Sequence, residues 1–336
     1  MDPMRSPLLK DALRKKGTIF SPGHRIRMNI VPIVLNIFIP WVVFIYCFGL
    51  TSFQLMYTSP MMAWLGVSLV FFLWLAIVLA AYCSRRFDPD PSWFTVTSLM
   101  VLACAIIGIV AGLDNFWTFE YGYYTIKDMK VAKKLDPSVS AGEDVMDAGI
   151  FEFTAGTQLD AEKTWHFKKG SIYCVAPIIS NTSRIPLRQT YDFWAVGKDC
   201  CSQGASDFRC GSWGSASAHK GIRSLDTKDL KYYHLAVQQA ASLYDIMAPH
   251  PLFLDWSMDP DLEIASWAQQ SFKNYAVTAS TVFVLCTFVV ATASARFSFL
   301  GRARSAYDTE IMNDPSWKEG QFYSEGARSP AGMYTA

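Results

Sequence analysis

The chain has 336 residues, of which 51% are hydrophobic and only 18% are charged. A soluble domain carries about a quarter charged residues, so this composition is typical of a membrane protein. The formal charge of +1 argues against the basic surface that nucleic-acid binding requires, and we expect no nucleic-acid partner.

Residues 1–28 form a polar, basic N-terminus with seven Lys or Arg and two Asp. It is too long and too polar for a cleaved signal peptide, so the apolar run that follows is predicted to be a retained signal anchor. The basic residues are interpreted as a topology determinant, with binding to anionic lipid as the alternative.

Four apolar runs are each close to the roughly 20 residues that a helix needs to cross a bilayer. They are TM1 at 29–52, TM2 at 62–83, TM3 at 93–113 and TM4 at 275–295. None contains Asp, Glu, Lys, Arg or His, which argues against a pump or a proton-coupled transporter. The sequence therefore predicts an α-helical membrane protein with a four-transmembrane-helix bundle.

The distribution of Lys and Arg around these runs predicts the topology. Basic residues precede 29–52, interrupt the chain at Arg85 and Arg86, and follow 275–295. The positive-inside rule then places both termini, the 84–92 loop and the 296–336 tail in the cytoplasm of a plasma membrane or endomembrane protein. The short 53–61 loop and the large 114–274 domain are predicted to be extracellular or lumenal.

Within the predicted spans, Asn36, Gly108 and Gly112 are candidates for helix packing. Small residues four positions apart let helix backbones approach closely, and a polar residue in a span bonds to a neighbouring helix. Cys83, at the cytoplasmic end of the second span, is a candidate for palmitoylation or an ordinary interfacial cysteine.

The outer domain is predicted to be mixed α and β. Strand-like alternation occurs at 150–153, 164–167, 171–175 and 191–196, with Lys168-Lys169-Gly170 as a hairpin turn. Helical spacing predicts helices over 125–135, 230–247 and 262–272. Residues 136–147 are predicted to be a loop, and 254–263 a solvated acidic turn with helix-capping carboxylates.

Cys174, Cys200, Cys201 and Cys210 are the four cysteines of the predicted outer domain. An oxidising side favours two disulfides. The pairing is either Cys174–Cys200 with Cys201–Cys210, or Cys174–Cys201 with Cys200–Cys210. We expect no metal site, because there is no spaced CxxC pair and no histidine partner. Asn181 begins a glycosylation sequon on the same predicted side.

No catalytic constellation emerges from the motifs. The five histidines form no HExxH or nucleophile-elbow arrangement, and no GxGxxG or Walker loop is present. The expectation is that the protein is not an enzyme and has no cofactor.

Three closely connected spans, a large cysteine-bearing outer loop and a fourth span resemble the tetraspanins in layout. The adjacent Cys200 and Cys201 and the later Cys210-Gly211 are similar to cysteines of the tetraspanin large loop. Ser202 stands where that family has glycine, and Cys174 precedes the pair. The resemblance implies a non-catalytic organiser that binds other membrane proteins laterally.

The predicted function is a lateral organiser, scaffold or adhesion component that acts through its disulfide-bonded outer domain. Its partners are expected to be other membrane proteins, the lipid bilayer and a second copy of the chain. One alternative is a channel, a transporter or an auxiliary subunit of one. The second alternative is a membrane-tethered receptor or enzyme.

Overall fold

The computed structural model describes residues 30–87, 92–180, 190–202 and 207–313. Within them the helices are α1 Ile30–Ser52, α2 Gln54–Thr58, α3 Pro60–Phe87, α4 Ser92–Asn115, α5 Tyr121–Asp128, α6 Thr227–Tyr244 and α7 Pro260–Asn313. A π-helical turn, Phe116–Glu120, joins α4 to α5. The predicted N-terminus 1–28, the sequon at Asn181 and the end of the predicted tail, 314–336, lie outside the described residues.

Four of the described helices are long and apolar enough to cross a membrane. Their apolar stretches are Ile33–Ser52, Pro60–Cys83, Phe94–Asp128 and Pro260–Ser294, with mean hydropathies between 2.0 and 2.5. This confirms the four predicted apolar helices, with a disulfide-bearing domain between the third and the fourth. The chain divides into a helical unit and an outer unit, the latter formed by Ser52–Thr58 and Asp114–Asn274.

In the helical unit, α1 packs closely against α4 at two glycines. A Cβ atom placed on Gly108 would lie 2.8 Å from the Phe44 carbonyl oxygen. One placed on Gly112 would overlap Thr51 Oγ1 and lie 2.9 Å from the Phe48 carbonyl oxygen. Only glycine permits this backbone approach, since any side chain would push the helices apart.

Polar contacts also join the long helices. The Thr97 hydroxyl donates to Asn36 Oδ1 over 2.8 Å, so Asn36 of α1 is bonded to α4. The Trp41 indole donates to the Ala279 carbonyl of α7 over 3.0 Å. The Trp74 indole of α3 donates to the Ser98 carbonyl over 3.2 Å. Each bond satisfies a polar group that would be costly to leave unpaired in apolar surroundings.

The outer unit is built on a mixed sheet. Its described strands are β1 Lys130–Leu135, β2 Ala148–Phe153, β3 Thr157–Leu159, β4 Trp165–Lys169, β5 Ser171–Ser180, β6 Phe193–Lys198, β7 Lys220–Arg223 and β8 Leu252–Ser257. The order is β1-β2-β7-β8-β6-β5-β3, with β4 also pairing with β5. The pairs β1–β2 and β6–β8 are parallel, and the other ladders are antiparallel.

Alternating residues of the central strands supply two separate cores. Phe193, Leu254 and Trp256 lie on one face, which we call the disulfide face because Cys174 and Cys210 share its core. Trp194 and Val196 lie on the other, the helix face, which α6 covers. Burial of each such large side chain contributes about 1.5–3 kcal/mol, so both layers are needed to hold the sheet.

Local signals explain the best-predicted elements. The Asp226 side chain accepts a hydrogen bond from the Lys228 amide and caps α6. Gly170 adopts φ +76° at the tip of the β4–β5 hairpin, a conformation that glycine adopts at little cost. The predicted hairpin and the α6 helix are thereby confirmed.

The structure corrects several sequence predictions. Residues 130–135 form the edge strand β1 and do not continue the helix, because they pair in parallel with β2. The stretch 254–263, predicted as an acidic turn, begins with the end of β8, a central strand whose Asp255 pairs with Val196 and Ile222. Its predicted capping carboxylate is confirmed, because Asp259 Oδ1 accepts from the Leu262 amide over 3.4 Å at the start of α7. The strand that was predicted to end before Gly197 continues to Lys198.

Candidate functional site

Two disulfides join the four cysteines of the outer unit, Cys174–Cys201 and Cys200–Cys210. This is the second of the two predicted pairings. Cys174 lies in β5, so the first bridge fixes the segment after β6 to the middle of the sheet. The second bridge closes the ten-residue loop between Cys200 and Cys210. Three of the sulfur atoms lie within 4.8 Å of one another, but each is in a disulfide and none is a thiolate ligand.

Gly197 makes room for the bridges. It lies opposite Cys174 in the β5–β6 ladder. A Cβ atom there would come within 2.5 Å of Cys200 Sγ and of Cys210 Sγ. The Cys200–Cys210 disulfide therefore lies directly over the backbone of β6 at Gly197, on the disulfide face.

The segment after the second bridge is anchored to β8 by its backbone. The Ser212 amide donates to the Trp256 carbonyl oxygen over 2.9 Å, and the Met258 amide donates to Ser212 Oγ over 3.2 Å. Gly211 adopts φ +56°, and a Cβ atom there would overlap the Trp256 carbonyl oxygen. The chain is thus held at a fixed distance from the central strand.

This anchored segment displays an exposed indole, which with two neighbours we call the Trp213 surface, formed by Arg209, Trp213 and Met258. Trp213 is 50% exposed and Met258 is 54% exposed. The Arg209 guanidinium lies 6.0 Å from the Trp213 ring centroid. Trp and Arg held on a rigid support are the residues most enriched among the energetic centres of protein interfaces.

A second arrangement is a buried polar network where helices enter the outer unit. It contains Ser52, Asn115, Glu120, Tyr124, Ser271 and Asn274, which we call the Asn115 network. Asn115 Nδ2 donates to Ser52 Oγ over 2.6 Å and to Ser271 Oγ over 2.8 Å. Asn115 Oδ1 accepts from Asn274 Nδ2 over 2.9 Å. One side chain therefore links three segments that are distant in sequence.

Glu120 is the carboxyl group of this network. It ends the π-helical turn and is only 3% exposed. Its carboxylate accepts hydrogen bonds from Ser271 and Tyr124. Buried ionisable groups in π-helical turns are often functional, so Glu120 is the strongest buried candidate for chemistry in the described outer unit.

Asp255 is another titratable group, besides Glu120, with an unusual environment. It is partly buried in β8. Burial is the main cause that raises the pKa of its carboxyl to about 7, followed by repulsion from Glu263 and then Asp226. Among the described residues, Asp255 belongs to no group of three potential metal ligands.

The structure separates the predicted site residues. Cys174, Cys200, Cys201 and Cys210 come together, whereas Asn36, Gly108 and Gly112 lie in the helical unit. Cys83 is exposed near the end of α3. The sequence patterns did not predict a role for Trp213 or for the Asn115 network. For the network, the only sequence signal was a polar residue at each end of an apolar run.

Comparisons with protein-family models, with curated proteins and with solved structures find no match for this chain.

Proposed function

We propose that the protein is a non-catalytic integral membrane protein that organises other membrane proteins laterally through its disulfide-bonded outer unit. In this proposal the four long apolar helices cross a plasma membrane or endomembrane. Both termini are cytoplasmic, and the unit between the third and fourth helices lies outside or in a lumen. The two disulfides support this side, since they persist in oxidising compartments.

The Trp213 surface is the observation that carries the proposal. The Trp213 indole is half-exposed, and its segment is held by a disulfide on one side and by β8 on the other. Rigid presentation reduces the conformational entropy lost on binding. The layout of three connected spans, a disulfide-bonded loop and a fourth span also resembles that of tetraspanin organisers.

The test compares two exposed apolar residues of the outer unit. Trp213→Ala removes the indole from the proposed contact, and Leu243→Ala removes an equally exposed side chain, 56%, from α6. We expect Trp213→Ala to reduce cross-linked partner complexes in mild detergent by at least about tenfold, and Leu243→Ala to leave them unchanged. Purification of the wild-type protein from its native membrane as a partner-free monomer would overturn the proposal.

Topology is tested separately by modification of the sequon. We expect endoglycosidase treatment to shift the wild-type protein and not an Asn181→Gln variant, and protease added to sealed microsomes, whose cytoplasmic face is outward, to cleave tags at both termini. Protection of either tag until the membrane is opened would contradict the orientation.

A channel, a transporter or an auxiliary subunit of one is the second candidate. The buried Glu120 and its network favour it, because a buried ionisable side chain in a π-helical turn is often functional. Flux through vesicles that contain only the purified protein tests it, with Glu120→Gln as the matched variant. Flux in the wild type that Glu120→Gln abolishes would support it, and no flux from the wild type would count against an autonomous pathway.

A further inference from the structure

Three aromatic rings line one end of the helix face, where the β4–β5 hairpin meets the first turns of α6. Phe167 stacks on Tyr232 with an interplanar angle of 11° and 6.0 Å between centroids. Tyr173 lies 4.7 Å from Tyr232 on the same strip. Phe167 and Tyr232 are half-buried, so the edges of both rings are open to solvent. We call these three residues the aromatic strip.

Two ammonium groups converge on the middle ring of this strip. Lys169 Nζ, from the hairpin, and Lys231 Nζ, from α6, each lie 5.0 Å from the Tyr232 centroid. Both lysines are exposed. Each ammonium group is attracted electrostatically by the face of the Tyr232 ring.

The contrast with a neighbouring lysine shows what this pair lacks. Lys198 Nζ lies 5.4 Å from the Tyr173 centroid, and it is paired with Asp229 over 3.1 Å. Among the residues that the structure describes, no carboxylate lies within ion-pair distance of Lys169 or Lys231. Within the described part of the chain, their positive charge therefore has no carboxylate counterion.

The Tyr232 hydroxyl responds to this charge. Hydrogen bonding from Lys169 lowers the pKa of Tyr232, and the charge of Lys231 acts in the same direction. Burial and Asp229 instead raise the pKa of the adjacent Tyr173. The positive potential is thus localised at Tyr232, where the phenol and two ammonium groups offer several hydrogen-bond donors to one anionic group.

We propose that Lys169, Lys231 and Tyr232 form a binding site for an oxyanion group, sulfate or carboxylate, carried by an acidic polysaccharide. The ammonium groups supply charge-assisted hydrogen bonds to the anion. The open edges of Phe167 and Tyr232 beside them offer apolar contact to a sugar ring. The choice of a polysaccharide over other anions rests on the proposed placement of the outer unit outside the cytoplasm.

The test uses the full-length protein in lipid nanodiscs and immobilised heparin as the probe. Lys169→Gln with Lys231→Gln removes both charges of the site. Lys133→Gln with Lys134→Gln removes two exposed charges from β1 and is the matched control. We expect the first pair to weaken heparin binding by at least about tenfold, the factor that 1.4 kcal/mol represents, and the control to change it little. Tyr232→Phe is expected to give a smaller loss.

Equal losses in both double variants would show a non-specific charge effect and overturn the site. So would retention of heparin binding by Lys169→Gln with Lys231→Gln. Binding of phosphatidylserine vesicles or polyglutamate in place of heparin would reject the polysaccharide as ligand. Partner capture through Trp213 is measured on the same variants, so a failed lateral-organiser proposal is distinguished from a failed anion site.

Discussion

Single residues decide how the disulfide-bonded segment is presented. Gly211 combines a positive φ with contact to the Trp256 carbonyl, whereas Gly214, three residues later, has no atom within 4 Å of its Cβ position. The same substitution at the two sites therefore separates backbone strain from simple loss of a glycine.

Gly211→Ala is expected to destabilise the outer unit by about 2 kcal/mol or more, because it strains the backbone and displaces β8. Gly214→Ala should change stability by less than about 0.5 kcal/mol, as for an ordinary surface substitution. Thermal unfolding of the full-length protein in detergent, followed by tryptophan fluorescence, measures both. Equal effects of the two substitutions would contradict the tight contact described for Gly211.

Asp255 makes stability depend on pH. Its folded-state pKa, about 7, lies above the ordinary value of an unfolded aspartate, so the folded state binds the extra proton between these values. The contribution of Asp255 to stability should therefore be greatest below about pH 4. It should fall as the pH rises through 7.

Replacement of Asp255 by Asn should remove this slope and stabilise the protein at pH 8 by at most about 4 kcal/mol, the equivalent of a three-unit shift. The measurement is the unfolding midpoint of wild type and variant at pH 5, 6, 7 and 8. These values span about three pH units around the titration of Asp255. Parallel pH profiles for the two proteins would rule out the burial of this carboxyl group.

At the scale of elements, the close α1–α4 contact is the feature that a single substitution disturbs most. Gly112→Ala places a methyl group against Thr51 and Phe48, whereas Gly49→Ala on α1 meets no atom within 4 Å. We expect the first to destabilise the helical unit by about 1–3 kcal/mol and the second to be neutral or slightly stabilising. The fraction that remains monodisperse after heating in detergent, by gel filtration, tests this difference.

The elements differ in how well the sequence predicted them, and the reason is physical. The long apolar helices and α6 carry their own signals, apolar length and a helical period with a capping Asp226. The strands β1 and β8 do not, because Lys130–Leu135 gains strand structure from its pairing with β2, and Leu252–Ser257 is buried on both faces.

The candidate sites likewise divide into those with a sequence signal of their own and those that depend on the folded structure. Four cysteines on one predicted side indicate two disulfides, but their pairing depends on where β5 places Cys174. Trp213 is one of eleven tryptophans, and its exposure together with the anchoring of its segment to β8 distinguishes it from those in the cores. The Asn115 network joins residues from distant segments, so no local pattern predicts it.

At the scale of the whole molecule, the two disulfides differ in what they constrain. The Cys174–Cys201 bridge spans 27 positions and the Cys200–Cys210 bridge spans 10. Chain-entropy arguments give about 3.5 kcal/mol for the longer loop and about 2.7 kcal/mol for the shorter one.

Replacement of Cys174 and Cys201 by Ser should therefore lower stability more than replacement of Cys200 and Cys210 by Ser. The shorter loop lies next to the Trp213 surface. Removal of its disulfide should therefore weaken partner capture by more than the accompanying loss of stability alone would. Unfolding midpoints and cross-linking yields of both double variants test the two statements together. A larger stability loss on removal of the shorter loop would contradict the entropic account.

The edge strand β1 bears on how copies of this protein can gather. Its described pairing is to β2 alone, so its other side offers free backbone groups to any incoming strand. Lys130 and Lys133 are exposed along that strand. Lys134 has a φ of 58° and lies beside an irregularity in the register. Charge and a local twist both block strand addition. Copies of this protein can thus lie side by side without their sheets merging into a shared, irreversible ribbon.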